Sequence, residues 1–503
     1  MYKHGIEVNE KATSFPSPLS TRYGVQVVFG TAPVNLAEDP YNACNRPIRV
    51  SSFEEAQAAL GYSEDWEHYT LCQSMYASFE LFQVYPVIFV NVLDPKRHVK
   101  SIGPKAYPVE NHQIALEETG IILSDLVLTM TADESQVGEA QVGTAVAAAG
   151  EQTLKLDQDY IAAFNAQGQV VITLLSRGDA YDEKEITAAA KAIAPEMVTE
   201  EDLIGAYDVE TGMESGFEVL RQVYPMYGLV PGALMAPGWT ENPNIGAALM
   251  GKCEEISGAF RSVCLLDLDT EQAKKYTDCL DVKNEMGYNG EHAIVLWPKV
   301  QKDGKIFCYS AVYGAMMSYS TAVNEDVPYL YPSNKTLNID GAVLEDGTEI
   351  FLDQVQAGNL NGDGVVTAFR DTEWKSYGNN MSCYPENTDP KDRWIACRRM
   401  FDYVGNYFAS EYRARLDENM NRRTVDDIVN SFNIWGNSLT AAGMCAGLYV
   451  EYREEENTLE NIMAGHLKLR IYFAPYTPIE YIRATMEFDV AALEGAMSEE
   501  GKG

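Results

Sequence analysis

Asp94 and Asp267 each close an apolar run that reads as a parallel strand, the place where α/β enzymes set their catalytic carboxylates. His292 and Ser333 are the partners such a site would use for acid–base or nucleophilic work. No spacing ties the four into a known arrangement, and aspartates at strand ends commonly cap turns. The chain has no G-x-S-x-G elbow, P-loop, dinucleotide fingerprint or H-E-x-x-H. The expectation is therefore a protein without catalytic residues, not an enzyme.

A second chemical pattern is Asn359-Leu360-Asn361-Gly362-Asp363-Gly364-Val365-Val366, which imitates the first half of a calcium loop. Position twelve, where such loops need a bidentate acid, is Arg370. A plain Asn/Gly turn is expected, with no metal and no cofactor. A third pattern is basic: Lys391, Arg393, Arg398, Arg399, Arg413, Arg415, Arg422 and Arg423 crowd into an otherwise acidic chain. They form either an exposed basic face or ordinary pairs with Asp392, Asp402, Glu411 and Asp417.

The elements that would position these residues follow from hydrophobic patterning. A chain of 503 residues with 46% hydrophobic content buries large cores and divides into several domains. Its formal charge of -36 speaks against nucleic acid as a direct partner, and no apolar run reaches the length of a membrane span, so no membrane anchoring is expected. The charged N-terminus lacks a secretory core, and nine cysteines without a C-x-x-C pair fit a reducing cytoplasm.

Buried strand-like runs at 25–29, 87–92, 229–236, 263–266 and 293–297 alternate with amphipathic helices, one of them capped by Ser52 and Glu55. That rhythm implies a mostly parallel α/β core, assigned to residues 21–97 and 206–370. Residues 98–205 carry short strand-like runs and read as an inserted β-rich outer domain, with helical stretches near 188–193 and 200–204 leading back. Residues 371–474 form a C-terminal α+β domain, in which Trp394, Cys397, Phe401, Val404 and Phe408 share one helix face and Ile428, Phe432, Trp435 and Leu439 another.

Both chain ends alternate. Ile6 and Val8 alternate with Glu7 and Asn9; Leu467, Leu469, Ile471 and Phe473 with Lys468, Arg470 and Tyr472; Ile482, Ala484, Met486, Phe488 and Val490 with Arg483, Thr485, Glu487 and Asp489. Strands with one apolar face at a terminus either dock on the chain's own sheet or donate themselves to a neighbour.

The segments His4-Gly5-Ile6-Glu7-Val8-Asn9-Glu10, Val27-Val28-Phe29-Gly30-Thr31-Ala32-Pro33-Val34 and Pro86-Val87-Ile88-Phe89-Val90-Asn91-Val92 are followed in order by others. These are Tyr227-Gly228-Leu229-Val230-Pro231-Gly232, Asp326-Val327-Pro328, Pro332-Ser333-Asn334-Lys335, Arg398-Arg399-Met400-Phe401-Asp402 and Pro478-Ile479-Glu480-Tyr481-Ile482. Together they resemble the contractile phage tail sheath family. The resemblance covers most of the chain and is weakest over 98–205.

It implies a structural subunit that polymerises around a tail tube and contracts by rigid-body rearrangement to drive the tube through a target cell envelope. It also implies strand exchange through an N-arm at 1–20, with Gly5, Ile6 and Val8, and a C-arm at 475–503, with Ile482, Ala484, Met486, Phe488 and Val490. Arg398, Arg399, Arg413 and Arg415 would face the tube. The implied partners are further copies of itself, the tail tube protein, and baseplate and tail terminator proteins. The implied place is the virion tail or a tail-like particle assembled in the bacterial host cytoplasm. Another self-assembling subunit, of a capsid or surface array, and an oligomeric α/β hydrolase are the alternatives. Arm deletion, of 1–14 or 476–503, is expected to leave soluble monomers.

Overall fold

The computed structural model describes residues 19–131, 151–165 and 167–497. The N-arm residues Gly5, Ile6 and Val8 lie outside the described residues.

The long apolar runs become the strands of one eight-stranded sheet. In chain order these are β1 (Val25–Gly30), β2 (Ile48–Val50), β3 (Val87–Asn91), β4 (Pro231–Met235), β5 (Val263–Asp267), β6 (Ala293–Trp297), β7 (Val365–Arg370) and β8 (Trp374–Tyr377). Their spatial order is β8-β7-β6-β5-β4-β1-β3-β2. The six inner strands run parallel, and β8 and β2 close the edges antiparallel. Helices cover both faces, so β1, β3, β5 and β6 are buried along their whole length, which is why they read as apolar runs, with the buried Gln26 of β1 satisfied by Ser78.

Flanking helices include α1 (Phe53–Leu60), α2 (Leu71–Tyr76), α3 (Pro243–Gly251), α4 (Tyr309–Val323) and α5 (Gln354–Gly362). Ser52 caps α1, accepting from the Glu55 N–H, and Asn242 caps α3. The segment containing Asn359 and Asn361 is the last turns of α5 rather than a loop, and Gly364, at a φ of 71°, turns the chain into β7.

Two smaller antiparallel sheets lie between β3 and β4. One pairs Val99–Pro108, Glu185–Ile193, Val127–Thr131 and Glu151–Thr153; the other pairs Tyr160–Phe164, Gln169–Leu174 and Gln113–Thr119. They share a core of their own around Leu128, Ile172 and Ile186. The helix expected at 188–193 is a strand. Ile186, Ala188, Ala190 and Ala192 alternate onto the buried face, and this period-two burial overrides the helix preference of the alanines. Its last residue, Ile193, pairs with Val99, so the two ends of the insert leave the core side by side.

Beyond β8, a one-turn helix at Pro390–Arg393 ends at extended Trp394, and α6 (Ile395–Glu411) begins there. Asn421 caps α7 (Arg422–Ala441). The hairpin β9 (Gly447–Tyr452) and β10 (Leu469–Ala474) lies on α6 and α7, followed by residues 475–489 without regular structure and α8 (Val490–Met497).

Candidate assembly interface

Aromatic packing joins the C-terminal helices to the hairpin. Tyr407 stacks on Trp435 at 3.7 Å, Phe432 packs on Phe408 and Trp435, and Phe401 meets Phe473 edge-on at 5.0 Å. Leu448 and Val450 of β9 turn inward to this core while Tyr449 stacks on Tyr472 outside. The result is an antiparallel sheet of only two strands, a unit that is marginal in water unless packed or extended.

Beside β10 lies a groove of about 1140 Å³ floored by Phe408, Tyr412, Val425, Ile428, Leu469 and Ile471. Arg413, Arg415 and Lys468 stand at its rim, together with Asp417, Glu418 and Glu456. Arg415 is paired with Glu418 at 3.3 Å, whereas Arg413 and Lys468 make no ion pair among the described residues. An apolar floor of this size next to an open strand is a seat for an extended peptide with alternating side chains.

The chain carries such a peptide at its own C-terminal end. Tyr331 Oη donates to the Tyr476 carbonyl at 3.0 Å; Asn361 Nδ2 donates to one Glu480 oxygen at 2.7 Å, and Arg393 reaches the other at 3.2 Å. Past that latch Ile482, Met486 and Phe488 are 80%, 95% and 77% exposed, and Ala484 is exposed too. The strand expected at 482–490 is not formed: among the described residues no partner strand lies along 481–489, and Val490 opens α8.

The root of the N-terminal segment is also fastened. Leu19–Ser20 pairs in parallel with Val84–Tyr85, and the half-buried Asp326 carboxylate accepts from the backbone N–H groups of Arg22 and Tyr23 and from the Thr21 hydroxyl. Burial raises the Asp326 pKa, and these three donors oppose the rise.

The basic run divides. Arg398 and Arg399 were expected at the tube face but are only 4% and 6% exposed, because both lie on the inner side of α6. Arg398 bridges Asp392 at 3.0 Å and Asp402 at 2.9 Å, and His292 reaches the same Asp402 oxygen at 3.3 Å. Arg399 donates to Thr321 Oγ1 at 2.9 Å, and burial lowers its pKa to about 10. Arg399 ties α6 to α4 of the core, Arg398 joins α6 to the one-turn helix before it and meets the core only through Asp402 and His292, and neither has an outer surface to present. Arg413 and Arg415 sit on the turn after α6, at the rim of the groove.

The residues considered for catalysis serve separate structural networks. Asp94 accepts from the Lys96 N–H, Ser333 accepts from the Gly378 N–H, His292 binds Asp402, and Asp267 accepts from the N–H and hydroxyl of Ser310 at the start of α4. Burial raises the Asp267 pKa to about 6, so between about pH 4 and 6 the folded chain holds a proton that an unfolded aspartate has released. Its contribution to stability is thus greatest below pH 4 and declines as pH rises to 6. Asp267→Asn, which keeps an acceptor for Ser310, is expected to lack this slope in unfolding temperature measured from pH 4 to 7; parallel curves for both proteins would refute it.

Sequence patterning did not single out Asn361, Tyr331 or Glu480 as a latch, since a lone polar residue carries no period. Among the described residues no group of His, Cys, Asp or Glu side chains could hold a metal ion, and no helix is long and apolar enough to cross a membrane.

No known protein-family profile matches the chain. It is 22% identical over 519 aligned residues to the tail sheath protein of Burkholderia phage BcepMu, covering 98% of this chain and 97% of that one. It is 22% identical to the tail sheath protein of Escherichia phage P2, over 62% of this chain and 75% of that one. Among solved structures, it is similar to a chain in the anti-feeding prophage baseplate (TM-score 0.56, 13% identity, 97% and 99% covered). It is also similar to a chain of the PVC sheath complex of an extracellular contractile injection system in the contracted state (TM-score 0.52, 14% identity, 98% and 99% covered).

Proposed function

We infer that this chain belongs to the contractile tail sheath family and is a structural subunit of a contractile tail sheath. The observation that carries the reading is the pairing, within one molecule, of an acceptor and a donor that do not use each other: a two-stranded sheet with an apolar groove beside it, and an exposed alternating arm latched away from that groove. Repeated from copy to copy, this arrangement polymerises. Whole-length similarity to two phage tail sheath proteins supports the same conclusion.

The arms then act as hinged links. Strand addition fixes register through backbone bonds and alternate pockets, so neighbouring bodies can turn about the link at Tyr481 while the pairing holds. Contraction is a rigid-body repacking from a kinetically held extended state. A gain of roughly 500 Å² of apolar burial per subunit would return on the order of 10 kcal/mol before opposing terms, and the return repeats along the tail. The partners are an inner tube protein, against which the exposed Arg413 and Arg415 are candidates, and baseplate and terminator proteins at the two ends. The place is a virion tail or tail-like particle, put together in the host cytoplasm.

Purified protein is expected to form helical tubes or stacked rings under negative-stain electron microscopy. A chain that stays monomeric at high concentration would sink the reading.

A further inference from the structure

We propose that the subunit accepts a neighbour's strand on one side of its hairpin only, at the β10 edge, and that Asn433 of α7 keeps the β9 edge closed. The proposal rests on the strand-addition reading above and adds its direction.

The closure is visible in the hydrogen bonds of Val450. Its N–H donates to Asn433 Oδ1 at 2.7 Å and its carbonyl accepts from Asn433 Nδ2 at 3.1 Å. A carboxamide presents one donor and one acceptor as a peptide group does, so Asn433 takes the two bonds an incoming strand would make. These bonds also fix the phase of the ladder. Val450 faces away from β10, which makes Val450 and its partner Ile471 a non-hydrogen-bonded pair.

Two residues earlier, Leu448 faces the same way. Its carbonyl lies so close to Gly436 that a Cβ on that glycine would come within 2.4 Å of the oxygen. Helix α7 therefore runs against the β9 edge, where an added strand would need about 4.8 Å of clear spacing.

By the same phase, Leu469, Ile471 and Phe473 turn their backbone groups outward along β10, and among the described residues none of these groups is bonded there. A strand added on this side passes over the groove and drops alternate side chains into it. Ile482, Ala484, Met486 and Phe488 have that spacing and are exposed. Glu487 and Asp489 then point to the outer face, the one on which Lys468 stands with Arg470 and Tyr472.

The occupant is the arm of a second copy. Each chain's own arm is held at Tyr476 and Glu480 by Tyr331, Asn361 and Arg393, and the Tyr476 carbonyl also lies against Cys397 in the first turn of α6. Phe408 and Tyr412, which floor the groove, are eleven or more residues further on, about 17 Å along the helix axis. A single open edge also prevents two hairpins from joining through their β9 strands, a mispairing that open sheets otherwise risk.

Cysteine cross-linking in assembled tubes tests the direction. Arg483→Cys, Thr485→Cys and Glu487→Cys in the arm are each combined with Tyr472→Cys on β10 or Tyr449→Cys on β9, all on the outer face. Neighbouring strands bring such cysteines to about 5 Å and next-but-one strands to about 10 Å. After oxidation, covalent ladders on denaturing gels are expected with Tyr472→Cys for at least one arm position, and at least tenfold less with Tyr449→Cys. Ladders with Tyr449→Cys equal to or above those with Tyr472→Cys would overturn the one-sided arrangement. Intact tubes with no ladder at either site would overturn the strand-addition reading beneath it. Asn433→Ala frees the Val450 N–H and carbonyl while α7 still lies against Leu448, so amide exchange at Val450 is expected to speed at least tenfold with no new Tyr449→Cys ladder; unchanged exchange at Val450 would overturn the role given to Asn433.

Discussion

Truncation after Glu480 is expected to leave a folded, soluble monomer that no longer enters tubes. The residues removed include Ile482, Met486 and Phe488, whose side chains lie almost wholly in solvent, so the isolated fold loses little with them. The assembly loses much more. Burying each of these side chains in a groove is worth about 1.5–3 kcal/mol, before the cost of ordering the arm, and the backbone bonds along the β10 edge are lost as well. Sedimentation velocity is expected to show one slow species in place of tubes, with the thermal unfolding midpoint within about 1 °C of the full chain. Tubes formed by the truncated chain would defeat the idea that this arm links subunits. Ile482→Ser and Phe488→Ser are expected to give intermediate assembly, whereas Thr485→Ser, on the opposite face, is expected to assemble normally.

How much was legible beforehand depended on whether a residue's role was periodic. Strands β1, β3, β5 and β6 were readable because burial on both faces writes a nearly continuous apolar run, and β10 because one half-buried face writes an alternation. The same rule read the strand at Glu185–Ile193 poorly, since alanine is small enough to line a sheet face yet favours helix by itself. At 482–490 the alternation was present but no strand formed, because a strand is a property of a pair and no described residue pairs with 481–489. Polar devices were not legible. Asn433 closing an edge, Glu480 latching the arm and Asp326 fastening Arg22 and Tyr23 are single contacts between residues far apart in sequence, and they leave no spacing to detect.

The basic run shows the same gap with a larger energetic consequence. Charge clustering brought Arg398 and Arg399 to notice together with Arg413 and Arg415, yet composition does not say that the first two lie on the inner side of α6 and the last two on the turn beyond it. Arg398 stands between Asp392 and Asp402, which are themselves buried, and His292 leans on the same Asp402 carboxylate. Arg398→Ala would leave the buried Asp402 with only His292 beside it and Asp392 with only the half-exposed Lys391 as a cation. Breaking a buried pair in this way costs about 3–5 kcal/mol, because the desolvation of the remaining charges is no longer offset. The variant is expected to unfold about 5–10 °C lower by differential scanning fluorimetry and to recover part of that loss when Asp402→Asn is added, since one of the stranded charges is then removed. Arg413→Ala and Arg415→Ala, on the rim of the groove, are expected to shift the midpoint by less than about 1 °C. A change confined to tube assembly in Arg398→Ala, with an unshifted midpoint, would return this arginine to the surface role that its position on the helix denies it.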